Sequence, residues 1–271
     1  MDTLPVVPLL NLPLHNVSFD DFLHQLEEGV VFTPNVDHFM KVQKDEAFYR
    51  LYQQADYRVC DSRIVQLVSR WLDQPSIVEQ IAGSDFFPAY CFFHRHHTDR
   101  VRVFLLGGRE GAGRMAMENL NRKTQSQIIV GYDTPPMGFE QDPAQRDRII
   151  AKIKASGATV LAVGLGAPKQ EKWIMAHKHL LPEIKIFFAI GATIDFQAGA
   201  RKRAPKWLTK MGLEWAHRLA QEPFRLFRRY LLEDLPFFWL IARQKWGMYQ
   251  NPWPAPQTKP MSPASNSLSD R

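Results

Sequence analysis

Residues 158–180 read ATVLAVGLGAPKQEKWIMAHKHL, passing within a few positions from an unbroken apolar run to a Gly-x-Gly, a proline and the polar cluster Lys169, Gln170 and Glu171. The opening ATVLA is β-branched and apolar without alternation, the pattern of a strand covered on both faces in a parallel sheet. Gly164 and Gly166 let the backbone turn sharply or approach a ligand closely. Pro168 suits the first turn of a helix over 169–180. In open α/β sheets, a strand-to-helix corner of this kind is where ligands bind.

The same alternation recurs outward from this stretch. Strand-like runs at 29–33, 57–61, 101–108, 127–133, 159–166 and 185–192 are separated by segments of helical periodicity, among them 36–55 and 142–157. Such βαβ units predict an α/β fold with a Rossmann-like, mostly parallel sheet and flanking helices. After about residue 200 the strands stop, and the chain turns basic and aromatic with helices expected near 205–220 and 223–246. The organisation expected is therefore a core over 1–200, a basic amphipathic helical appendage over 201–250 that associates with a membrane, and a Pro- and Ser-rich disordered tail over 251–271.

Composition narrows the function classes. A chain of 271 residues that is 45% hydrophobic can bury a full core. Cys60 and Cys91 lack paired spacing, so a reducing compartment is expected. The N-terminus carries an acid and prolines where a signal peptide would be positive, and no apolar run reaches membrane-spanning length. These features predict a cytoplasmic protein, soluble or peripheral. The net charge of +6 is concentrated, since 201–245 holds eleven Lys or Arg against four acids. An anionic partner follows. Because these charges interleave with Trp207, Trp215, Phe224, Phe227 and Tyr230, an anionic membrane surface fits better than a nucleic-acid groove, and no nucleic acid is expected.

In a parallel sheet the carboxyl ends of the strands share one edge. That edge would gather Thr33 and Asn35, Asp61, Gly107 and Gly108, and Gly166 with Gln170. Asp61, at the end of an apolar strand, is either a general base or a helix cap. Thr33 and Asn35 are turn and cap residues or substrate contacts. Gln170 is the better ligand contact of its cluster because an amide reads a sugar or uracil edge, while Lys169 and Glu171 are expected on an exposed helix face. Asp195 supports the pocket or a turn. The run GGREGAGR (107–114) resembles a dinucleotide fingerprint without its strict spacing, and no acid is expected to end the next strand in the required way, which disfavours a nicotinamide-dependent enzyme. His94, His96 and His97 near Cys91 lack a second paired ligand group and read as a polar loop.

The blocks FTPNVDHF, GSDFFP, VFLLGG, VGLGAPKQEKW, GATIDFQAG, RAPKW, GLEWAHRL and EPFRLFRRY occur in the order and spacing of the WecG/TagA/CpsF family of bacterial glycosyltransferases, which this chain resembles over roughly residues 5–232. The resemblance implies inverting, metal-independent transfer of a sugar, typically N-acetylmannosamine or its uronic acid, from a UDP-sugar to a polyprenyl-diphosphate-linked saccharide at the inner face of the plasma membrane. It implies no cofactor, favours Asp61 as the base, and matches Arg218, Arg225 and Arg228 to the family's C-terminal arginines. No two aspartates are separated by one residue, so an Asp-x-Asp metal site is absent from the sequence. Fixed cations would have to meet the leaving diphosphate, the role expected of those three arginines. The chain departs from the family pattern in reading Cys60, Asp61, Ser62 and Arg63 where members have Ala-Asp-Gly, and Gln80 where an arginine is common. Sequences with Asp-Ser-Arg resemble enzymes of exopolysaccharide assembly, so glucose joins the candidate hexoses. Self-association is left open.

Overall fold

A computed structural model of the chain describes residues 4–201 and 233–254 together with Leu208, Ala216 and Leu219. Strands β1 (Val6–Val7) and β2 (Leu14–His15) form a small antiparallel pair. The main sheet is built from β3 (Gly29–Phe32), β4 (Tyr57–Arg58), β5 (Val103–Gly107), β6 (Ile129–Asp133), β7 (Val160–Gly164) and β8 (Ile186–Ala189). Its order is β4-β3-β8-β7-β5-β6, and every neighbouring pair is parallel. All six expected strands are present, in a Rossmann-like α/β arrangement.

Ten described helices flank it: α1 (Phe19–Gln25), α2 (Val36–Lys44), α3 (Glu46–Gln53), α4 (Arg63–Ser69), α5 (Gly83–Phe93), α6 (Ala112–Thr124), α7 (Pro143–Ser156), α8 (Lys169–His177), α9 (Thr193–Ala198) and α10 (Pro236–Lys245). Strand side chains alternate between two cores, as a two-residue period requires. Leu161 and Val163 of β7 join one core with α2, α3, α4, α7, α8 and α10, whereas Val160 and Ala162 join the other with α1, α5, α6 and α9. Adjacent strands thus send the chain to opposite faces: β3 into α2, β8 into α9, β7 into α8 and β5 into α6. Crevices open between such strands at their carboxyl ends.

Local chemistry sets the boundaries. The periodic run 36–55 breaks at Asp45, which ends α2 and caps α3 by accepting the Phe48 N–H at 2.9 Å. Strand β4 is shorter than the apolar run 57–61. Val59 still donates to the Phe32 carbonyl at 3.1 Å, but Asp61 already turns aside, its N–H donating to the Pro34 carbonyl at 3.2 Å. Pro168 stands just before α8 rather than inside its first turn, and α8 gives way at its end to a 3-10 turn, Lys178–Leu180.

Of the stretch expected to form an appendage, the described part packs against the core. Phe237 and Ile241 are fully buried, and the Phe237 ring lies 5.6 Å from that of Phe39 on α2. Gln244 accepts the Leu10 N–H at 2.8 Å and donates to the Pro8 carbonyl at 3.0 Å, while Lys245 pairs with Asp73. Tyr249 donates to Gln43 at 2.9 Å and Trp253 Nε1 to the Val42 carbonyl at 2.6 Å. Of the helix expected near 205–220 only Leu208, Ala216 and Leu219 are described; of the disordered tail expected over 251–271, residues 251–254 are described and Trp253 packs against the core, while 255–271 lie outside the described residues. Among the described residues no helix is long and apolar enough to cross a membrane.

Candidate active site

Asn35 caps α2, its Oδ1 accepting the Asp37 N–H at 3.1 Å while its backbone N–H donates to Nδ1 of His38 at 3.2 Å. With Oδ1 pinned, Nδ2 points across the edge of the sheet to Asp61 Oδ2, 3.5 Å away. Asp61 does not cap the helix that follows it: Ser62 does, accepting the Val65 N–H at 3.4 Å. Its Oδ1 instead accepts the N–H of Gly83, the first residue of α5, at 3.1 Å. A side chain at Gly83 would meet Thr33 Oγ1 at 3.3 Å, so glycine lets α5 start directly against Thr33. Thr33, Asn35 and Asp61 therefore gather in one corner, each partly exposed.

The next corner is built by α8. Its buried stripe is Gln170, Glu171, Trp173 and Ile174, the spacing of one helix face against a core. Glu171, expected on an exposed face, is only 1% exposed; the stripe set by Trp173 and Ile174 turns it inward. Lys169 stays exposed and pairs with Glu140 at 2.7 Å. Gln170 accepts the Gly191 N–H at 3.0 Å and donates to Glu171 Oε1 at 2.9 Å. The same Glu171 oxygen lies 3.3 Å from His38 Nε2. This joins the corner after β7 to that after β3. His38 and Glu171 were missed from sequence as interacting groups, although His38 at the third position after an Asn cap and Glu171 beside Trp173 were signals of inward orientation.

Asp195 Oδ1 accepts the Arg109 N–H at 2.9 Å, tying α9 to the loop after β5. Gly107 has φ +111°, and a side chain there would come within 2.5 Å of the Gly164 carbonyl, so strand packing itself requires glycine; Gly108 donates to that carbonyl at 3.0 Å. Gly166, at φ +77°, has open space where a side chain would stand. Thr33, Asn35, Asp61, Gly107, Gly108, Gly166, Gln170 and Asp195 thus line the carboxyl edge across β4, β3, β8, β7 and β5. Arg218, Arg225 and Arg228 lie outside the described residues.

A family described as the glycosyl transferase WecG/TagA/CpsF family matches residues 7–251, nearly the whole chain. The chain belongs to the WecG/TagA/CpsF glycosyltransferase family. Membership makes it a glycosyltransferase and implies cell-surface polysaccharide synthesis, with a sugar donor and a lipid-linked acceptor in general.

The departures from the WecG/TagA/CpsF pattern brace the Asp61 corner. Gln80 Nε2 donates to the Asp61 carbonyl at 2.7 Å. Arg63 donates to Gln66 Oε1, and Gln66 Nε2 donates to the Val78 carbonyl at 2.9 Å.

An acid does end the strand after GGREGAGR, but not in the way a dinucleotide site requires. Asp133 closes β6, buried, with Arg148 donating twice at 3.0 and 2.8 Å and Lys152 at 2.7 Å. Burial pushes its pKa up, but these two cations outweigh that and hold it below the ordinary carboxylate value. Its oxygens are committed inside the protein rather than offered to a ribose. Cys60 and Cys91 are free and buried, with burial pushing the Cys60 thiol up to about 12. Neither is poised as a nucleophile. Among the described residues, no group of three or more His, Cys, Asp or Glu could hold a metal ion.

Proposed function

We propose that the protein transfers a hexose from a UDP-sugar to a polyprenyl-diphosphate-linked saccharide, with inversion and without a metal, while bound peripherally to the inner face of the plasma membrane. The observation that carries this reading is Asp61, a carboxylate at the sheet edge with one oxygen held by Gly83 N–H and the other facing the Asn35 amide. In the proposed step the acceptor hydroxyl gives its proton to Asp61 as its oxygen attacks the anomeric carbon. The bond from that carbon to the diphosphate oxygen breaks, and UDP leaves with the bonding electrons. Arg218, Arg225 and Arg228 are assigned to the diphosphate. The hexose is N-acetylmannosamine, its uronic acid or glucose.

Membrane attachment is supported by the residue just before α10, the outward side of α10 and the turn after it, where Leu235, Phe238, Trp239, Trp246 and Met248 are exposed. Equilibrium binding to UDP, NAD and DNA tests the class: UDP alone should bind. Activity should survive EDTA, because arginines rather than a metal meet the leaving group. Loss on chelation that magnesium or manganese restores would overturn the metal-free mechanism.

A further inference from the structure

The contacts of Asn35 place incompatible demands on Nδ1 of His38. The Asn35 backbone N–H, at 3.2 Å, needs a lone pair there, whereas Asn35 Oδ1, at 2.9 Å, needs a proton. The Glu171 carboxylate selects between ring states, since Oε1 at 3.3 Å from Nε2 favours those that carry a proton on Nε2. In each such state the ring is fixed between Glu171 and the Asn35 cap. A continuous line of polar contacts then runs from Gly191 N–H to Asp61 and on to Gly83 N–H: hydrogen bonds join Gly191, Gln170 and Glu171, an ion-pair contact joins Glu171 to His38, and hydrogen bonds continue from His38 through Asn35 to Asp61 and from Asp61 to Gly83. It connects the corners after β8, β7, β3 and β4.

Packing alone does not explain these residues. Glu171 Oε2 is buried without a hydrogen-bond partner, and so is the hydroxyl of Tyr52, whose ring packs edge-on to His38 at 6.0 Å. Unsatisfied buried polar groups cost stability, and an apolar side chain at 171 would avoid that cost.

We propose that His38 and Glu171 form a buried positioning pair that holds the Asn35 amide, and through it Asp61, in the orientation that sugar transfer requires. The proposal rests on Asp61 being the base, and a double-mutant cycle separates the two ideas. The rate is UDP release from whichever of UDP-N-acetylmannosamine, UDP-N-acetylmannosaminuronate and UDP-glucose is turned over with a lipid-linked acceptor. His38→Phe, which removes both ring-nitrogen contacts and keeps the ring, should lower kcat about 10- to 100-fold with donor KM within about twofold. In the Asp61→Asn background the same change should slow the residual rate by less than about threefold, because its effect passes through Asp61. A His38→Phe protein at the wild-type rate overturns the pair's role. So does an equal loss in both backgrounds, which would make the pair a fold element only. Asp61→Asn at the wild-type rate instead overturns the base assignment, and the positioning role with it. Should His38→Phe fail to fold by circular dichroism, Glu171→Gln, nearly isosteric and still able to hold Gln170, goes through the same cycle with the same expected non-additivity.

Discussion

Asp61→Asn removes a proton acceptor and little else, since an amide oxygen can still take the Gly83 N–H. Donor binding should stay within about twofold by calorimetry while transfer slows by about 10² or more. Unchanged turnover would leave Asp61 as a cap for α5. Sequence placed Asp61 at a strand end and left base and cap open; the structure shows that the cap it forms belongs to a helix that starts 22 residues further along. Long-range pairing of this kind has no local signal. Glu171 departs from expectation for a related reason: its charge suggests solvent, but the rotation of α8 is set by Trp173 and Ile174. Asp133 likewise shows its acid in the sequence but not its partners Arg148 and Lys152.

At the scale of elements, the strands were legible because both faces are buried and their apolar runs are continuous. The segment 236–242, PFFWLIA, is the most apolar part of the basic C-terminal stretch, a composition that by itself suits a bilayer interface. The helix divides it instead. Phe237 and Ile241 enter the core, and Phe238 and Trp239 remain 45% and 60% exposed. Phe237→Ala should cost about 3–5 kcal/mol in urea denaturation, whereas Phe238→Ala should change stability by less than about 0.5 kcal/mol. Equal effects would mean that α10 is not seated as described. Cutting the chain after Gly199 removes Phe237, Ile241 and the Gln244 and Trp253 contacts together. The truncated protein is therefore expected to lose stability as well as transfer, and membrane attachment is better tested with Phe238→Ser and Trp239→Ser in vesicle co-sedimentation.

For the whole molecule, the response to acid follows from histidines that the fold keeps neutral. His15 is pushed down from 6.5 to about 4, first by burial and then by the Arg58 charge, and its Nδ1 accepts the Arg58 N–H at 3.0 Å. Burial also lowers His94 and His177. Between about pH 6.5 and 4 the unfolded chain binds protons at His15 that the folded chain refuses, so stability is complete above this window and falls as pH drops through it. Asp133, lowered in the fold, loses its contribution as pH falls below the ordinary carboxylate value of 3.8, and Glu140, which burial pushes up but its Lys169 partner holds down, as pH falls below 4.5. Part of the His15 ring meets solvent, so screening limits its share to roughly 1–2 kcal/mol. In His15→Asn an amide oxygen can take over the Arg58 N–H and no titrating group remains. Urea midpoints at pH 7.5, 5.5 and 4.5 should then fall less steeply for the variant than for the wild type; parallel profiles would shift the acid sensitivity from His15 to His94 and His177.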